Sequence, residues 1–468
     1  MACDNQRTEE LSRLLRAIIH ALLEQRINLC ILRNYEELPE YTRHDVDLLV
    51  SPADRHRTLN LIMSVAKYQS WQLLSRTEDL GQTGLCFCFD RSRDIQFISF
   101  DVATELCWGW MPIVDSMHVL NSKYIRDGIP VASHGADAAA RVMKNVLRGS
   151  PMSDCTRRVV AEYARRDQAG FYATLAGILD GELVGRILRI IECGAWEELD
   201  QLTPLLRKSL IFHVHSSRPW QGLCNFLRYV WGRCKPNGQS ALGTHVVLLG
   251  PDGIGKSTLA GRLKSRLGEQ VFRGAITYHG NFHILPTLQR LRRFITGRET
   301  KVPDFTKRHS GSAVKSHSPL RSLLYLGYYS IDFLLGYVVL WNGRSRHRLI
   351  LFDRYFYDYY FQPANRRVPG WVLNCFRCFV PRPDVLLSLL ASPGVVYRRK
   401  PELTKHDIQH QLELMERLVA HLSKEMTVVQ VRTDQGEDAA EDDAIRAIVH
   451  AVSNRQLDRI HNEVRRAA

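Results

Sequence analysis

The 468-residue sequence has no apolar run clean enough to cross a membrane. The nearest, Leu320–Trp341, is interrupted by Arg321 and Asp332, by glycines and by tyrosines. A charge near the middle of a span costs ~3 kcal/mol on insertion scales, so this segment is expected to be a buried helix. The 11 cysteines lack the even spacing of a disulfide framework, which predicts free thiols in a cytoplasmic protein. Cys375-x-x-Cys378 has no second pair and so makes no zinc site. No internal repeat is present. At 45% hydrophobic and 24% charged residues, disorder, collagen and coiled coil are excluded. Acid is scarce: 49 Asp and Glu stand against 63 Lys and Arg, a net charge of +14 that predicts attraction to polyanions. No nucleic-acid module or basic stripe interleaved with aromatics appears, so nucleic acid is not the expected partner.

What is present falls into three expected parts. Residues 1–128 alternate helix and strand signals. Leu11–Leu23 is an amphipathic surface helix with Arg13 and Arg16 opposite its apolar face, and is no signal segment. Ile27–Leu32 and Val46–Val50 read as strands, and 84–89 with 95–101 as a hairpin turned at 90–93, which makes this part α+β. Residues 129–238 carry apolar residues three and four apart with short polar breaks, an all-helical connector. The breaker-rich seam 235–240 ends it. Residues 239–468 read as βα units: strands 244–249, 348–352, 384–390 and 427–431, with helices 256–267, 405–422 and one near 439–452. Strands separated by helices imply a doubly wound parallel sheet. The fold class is thus multidomain α/β.

The strongest motif is Gly250–Pro–Asp252–Gly253–Ile–Gly255–Lys256–Ser257–Thr258, which matches G-x-x-x-x-G-K-[ST] between a β run and a helix. Glycines let successive N–H groups curl round phosphates, Lys256 reaches the β/γ oxygens, and Ser257 ligates Mg²⁺. The strand at 348–352 ends in Asp353–Arg354. Asp353 can hold the metal or accept a proton, and Arg354 can clamp an anionic acceptor bidentately. Tyr397–Lys400 places Arg398 and Arg399 in a loop that can close over the phosphates and neutralise the transition state. The aromatics from Tyr355 to Phe361 either stack a base or belong to the core.

Asp252–Gly253, Asp353–Arg354–Tyr355, Pro383–Asp384–Val385–Leu386 and Arg399–Lys400 resemble the thymidylate kinase branch of P-loop kinases over roughly 239–455. The resemblance implies ATP and Mg²⁺ on Lys256 and Ser257, Asp252 facing the acceptor sugar, Arg354 on the acceptor phosphate, and lid arginines acting in transfer. A nucleoside monophosphate, by default dTMP, is the implied acceptor. The chain departs from that pattern at Asp358, where the family has a serine, and in an insert over 280–345.

His44–Asp45–Val46–Asp47 sets two carboxylates on one face of a strand, and Asp101 ends a later one. Three such carboxylates can hold two Mg²⁺ ions. With them, residues 1–125 resemble the nucleotidyltransferase fold, although Leu32–Arg33–Asn34–Tyr35 stands where that family has its glycine turn. The three-part arrangement resembles bacterial proteins found with surface-polysaccharide genes. That makes a sugar- or glycerol-type acceptor, with or without nucleotidyl transfer, the alternative to dTMP; an ATPase switch is a third reading. The expected partner is a small phosphate acceptor, with peripheral membrane contact and a homodimer both compatible with the sequence.

Overall fold

Leu11, Leu14, Leu15, Ile18 and Leu22 recur every three or four residues, and all five are buried along one side of helix α1 (Ala2–Glu24). The computed structural model describes residues 2–42, 44–91, 94–149, 151–217, 219–234, 243–286, 319–361, 369–401 and 403–467. The seam 235–240, Ser92 and Arg93 of the expected hairpin turn, and the middle of the expected insert (287–318) lie outside them. The chain divides into two compact units, Met1–Ser240 and Ala241–Ala468.

In the first unit α1 is followed by β1 (Leu29–Ile31), β2 (Val46–Val50), α2 (Arg55–Tyr68), β3 (Gln72–Asp79), β4 (Gln82–Arg91) and β5 (Asp94–Ala103). Then come β6 (Cys107–Trp108), β7 (Met111–Pro112), α3 (Ser116–Asn121), β8 (Tyr124–Arg126) and β9 (Ile129–Val131). Seven strands form one sheet in the order β3-β4-β5-β2-β1-β9-β8; β2 runs parallel to β5 and β1 to β9. Side chains alternate across it. Leu29, Ile31, Leu48 and Val50 enter a core with α1 and α2, while Cys30, Leu32 and Leu49 enter a second core on the other face. Helices fill that second core: α4 (His134–Arg148), α5 (Asp154–Arg166), α6 (Gln168–Ala176), α7 (Gly181–Cys193), α8 (Trp196–Gln201) and α9 (Thr203–Ser217), followed by α10 (Pro219–Cys234). The β8–β9 hairpin has strands of three residues each, too short to leave a periodic signal.

Asp167 ties three of these helices. Its Oδ2 accepts the Gly135 amide of α4 at 2.9 Å, and its Oδ1 accepts the Gly170 amide at 2.8 Å, capping α6 where α5 ends. Burial opposes its ionisation, but the two amides and the Ser133 hydroxyl outweigh that and hold the carboxyl below its ordinary range. A depressed folded-state pKa adds stability above the unfolded value near ~3.9 and loses it as pH falls through the folded one. Asp167→Ala is therefore expected to cost about 1–2 kcal/mol at pH 7. In thermal melts the gap between wild type and variant should close in acid; a gap independent of pH would show that the ionised form is not what binds.

The second unit runs β10 (Thr244–Leu249), α11 (Lys256–Gln270), β11 (Ala275–Tyr278), α12 (Pro319–Ser345), β12 (Leu349–Asp353) and α13 (Gly370–Arg377). It continues with β13 (Val385–Leu390), α14 (Pro393–Arg399), α15 (Lys405–Leu422), β14 (Val428–Arg432) and α16 (Glu437–Ala467). The five strands are parallel throughout, ordered β11-β12-β10-β13-β14. Every residue of β10 and β12 is buried, as expected for parallel strands covered on both faces. His245 is among them, with the rings of Phe352 and Tyr355 at 5.2 and 5.4 Å; burial pushes its pKa down to about 3, so it is neutral.

Helix α12 corrects one expectation. Leu326, Phe333 and Leu340 are buried, but Ile331, Leu334, Val338 and Trp341 are exposed. The inward face is fixed by Asp332, whose carboxylate accepts the amides of Phe282, Ile284 and Leu285 at 2.8–2.9 Å. A buried charge satisfied by three backbone donors sets which side turns inward, and the opposite side is left out. Among the described residues no helix is long and apolar enough to cross a membrane.

Candidate active site

At the end of β10 the chain must turn sharply into α11. Gly253 (φ +85°) and Gly255 (φ +109°) take left-handed conformations there, and a Cβ on Gly253 would lie 2.7 Å from that of Lys400. Lys256 is buried, and its Nζ donates to the carbonyls of Gly250 at 2.6 Å and Pro251 at 3.0 Å, with Asp252 at 3.7 Å.

β12 lies beside β10, and the register Leu248↔Asp353 sets Asp353 next to this turn. The Ser257 hydroxyl donates to Asp353 Oδ2. Asp353 Oδ1 is buried with no hydrogen-bond partner among the described residues. Arg354 is left-handed at φ +90°, a conformation that costs a non-glycine residue about 1 kcal/mol or more. Its guanidinium binds Asp252 at 2.5 Å, and its carbonyl accepts the Gly280 amide at 3.2 Å. Burial opposes ionisation of Asp252, but Lys256, Arg354 and Lys400 around it outweigh that and hold it below the ordinary carboxylate range.

Arg399 donates to the carbonyls of Ile254 at 3.2 Å and Thr433 at 2.9 Å. The expected lid loop is instead the last turn of α14. Arg399 and Lys400 line a cavity of about 500 Å³ with the glycine turn, Ser257, Thr258, Asp353 and Arg354; the exposed Arg398 does not.

No family model and no curated protein matches this chain. Among solved structures it is similar to the thymidylate kinase of Ehrlichia chaffeensis, at 13% identity over 44% of this chain and 98% of that one, TM-score 0.29. A gluconokinase from Sinorhizobium meliloti matches at 15% identity over 47% and 98%, TM-score 0.27. A chain described as a nucleotidyltransferase, from H. pylori, matches at 10% identity over 42% and 97%, TM-score 0.23. Each covers less than half of this chain, and the chemistry is read from the residues themselves.

Several cavity residues carry no sequence signal. His279 follows the short strand β11, and its Nδ1 lies 3.7 Å from Asp353 Oδ2. Arg262, Thr433 and Glu437 also line the cavity. Asp358 sits in a buried 3₁₀ turn after β12 and does not line the cavity. Burial raises its pKa to about 7; Lys256 and Arg354 pull it down, and Asp252 and Asp353 push it up. Tyr355, Phe356, Tyr357 and Phe361 are all buried, so the aromatic run is core.

In the first unit Asp47 of β2 pairs with Asp101 of β5 in the parallel register, while Asp45 is exposed one residue before the strand. Arg33 forks onto Asp47, with contacts of 2.5 and 3.2 Å to its two oxygens, and Gln82 donates to Asp101 at 2.7 Å. No group of three or more His, Cys, Asp or Glu able to hold a metal is gathered among the described residues.

Proposed function

We propose that this chain is an ATP- and Mg²⁺-dependent phosphotransferase of the thymidylate kinase type, acting in the cytoplasm on a small phosphate acceptor. The observation that carries it is the Ser257–Asp353 contact, which joins the glycine turn to the neighbouring strand's carboxylate at the mouth of a cationic cavity. The pair fits a Mg²⁺ ion, because Ser257 brings a hydroxyl and Asp353 a second oxygen that is buried and has no hydrogen-bond partner among the described residues. Such an ion would neutralise charge on the β- and γ-phosphates.

The other roles follow from position. Lys256 leaves its two carbonyls for phosphate oxygens, and the turn's amides, with Gly250, Gly253, Gly255 and Thr258, cradle them. The acceptor oxygen attacks the γ-phosphorus as the bond to ADP breaks. Arg399 faces that charge from the cavity wall, a better placed cation than Arg398. Arg354 and Asp252 form an ion pair on the cavity lining, and opening that pair would free them for the acceptor's phosphate and sugar. In the first unit, residues 1–128 stay nucleotidyltransferase-like, whereas the expected connector 129–238 is part of the same body: β9 joins the sheet and α4–α9 share its second core. Nucleotidyl transfer is not part of the proposal, because Arg33 takes both oxygens of Asp47.

ATP consumption by the purified chain with Mg²⁺, alone and then with dTMP, other nucleoside monophosphates and sugar phosphates, tests this reading. ADP release is expected only with an acceptor, at about 1–100 s⁻¹. Rapid hydrolysis without one would favour an ATP-driven switch.

A further inference from the structure

Between residues 201 and 251 the sequence has six Lys and Arg and no Asp or Glu. This acid-free stretch contains the α9–α10 pair, and α10 has two faces. One is engaged: Phe226 meets Trp110 edge to face at 5.6 Å, Tyr229 lies beside Gly109, and a Cβ on Gly222 would fall 2.3 Å from Val214 of α9. The other carries Trp220, Leu223, Leu227 and Trp231 at helical positions i, i+3, i+7 and i+11, all exposed, the tryptophans at 78% and 65%. Phe212 of α9 is 74% exposed as well. Large apolar side chains left in water in one stripe mark an interaction surface.

We propose that this face docks on the surface of an anionic lipid bilayer. The chemistry separates that occupant from others. Arg228 is exposed next to Leu227 on the same helix, and Lys208 is exposed one turn before Phe212 on α9; neither makes an ion pair with a described residue. Tryptophan at both ends of an apolar stripe, ~16 Å apart along the axis, with Lys and Arg alongside, is the composition of a helix that lies in the headgroup region. A 16-residue helix reaches ~24 Å, short of the ~30 Å hydrocarbon core, so it lies on the membrane instead of spanning it. A second copy would meet the same acid-free stretch with like charge, on a chain of net charge +14. Anionic headgroups supply the missing countercharge, and each nearby Lys or Arg adds about 1 kcal/mol of attraction, which falls with salt. The surface lies in the first unit and is independent of the phosphotransferase reading.

The test is co-sedimentation of the full chain with vesicles of phosphatidylcholine alone or with about 30 mol% phosphatidylglycerol. Binding to the anionic vesicles is expected to be at least tenfold tighter and to weaken in high salt. Trp220→Ser/Trp231→Ser should lose at least tenfold of that binding. Arg228→Glu should lose the preference for anionic lipid while keeping its circular dichroism spectrum. No vesicle binding, or equal binding by the double variant, overturns the proposal. Self-association abolished by the double variant in light scattering, without vesicle binding, overturns it too and gives the face to a second copy.

Discussion

Lys256→Met is expected to lower phosphoryl transfer by about 10³-fold, the scale seen when a preorganised donor to a developing charge is removed. In the structure the Lys256 ammonium spans the turn between the Gly250 and Pro251 carbonyls, with Asp252 as countercharge. Methionine keeps the length and apolar stem of the side chain and leaves the two carbonyls without their donor, while Asp252 keeps Arg354. The second unit should remain folded, since the turn is shaped by Gly253 and Gly255 and not by the ammonium. Initial rates of ADP formation and a thermal melt check both halves; normal turnover by the variant would remove the phosphate site from this cavity.

The largest effect on stability is expected from Asp358→Asn. Burial raises the Asp358 pKa from 3.8 to about 7. Such a carboxyl keeps its proton in the folded chain after the unfolded chain has released it, so it lowers stability as pH rises from about 4 to 7. Three pH units of mismatch correspond to a cost on the order of 4 kcal/mol above pH 7. Asparagine has nearly the same shape and no charge. The variant and wild type should melt alike near pH 4, and the variant should melt higher by a growing margin up to pH 7 and level off beyond. A variant less stable than wild type at pH 8 would mean that the ionised carboxylate is held by its cationic neighbours, Lys256 and Arg354.

The parts of this molecule that were legible are those whose physics is local. β10, β12 and β13 are built mostly of Val, Leu, Ile and Phe because both faces of a parallel sheet are covered, with Thr244, His245, Ser388 and the strand-end Asp353 as the exceptions. The glycine turn is legible because glycine takes the two left-handed positions it needs without the steric cost other residues bear. β11 escaped notice because it is four residues long and only partly buried. His279 sits beside Asp353 only because β11 pairs with β12, a long-range register that no local pattern encodes. The same holds for Arg33: the loop reading marked it as the wrong residue for a glycine turn, and only the fold shows it bound to Asp47. The exposed face of helix α12 is not legible, because Asp332 in an apolar segment speaks only against membrane insertion, and which side it turns inward depends on three backbone amides from a distant loop.

His245 gives the second unit an unexpected neutrality toward acid. Its ring stays unprotonated in the sheet down to about pH 3 and would take up a proton on exposure anywhere below its ordinary value near 6.5. Asp358 does the reverse, holding a proton in the folded chain and releasing it on exposure. Between about pH 4 and 6 these two groups exchange opposite protons with solvent when the unit opens, so their contributions to the pH slope cancel. For this pair the heat of unfolding in that window then owes little to the ionisation enthalpy of the buffer.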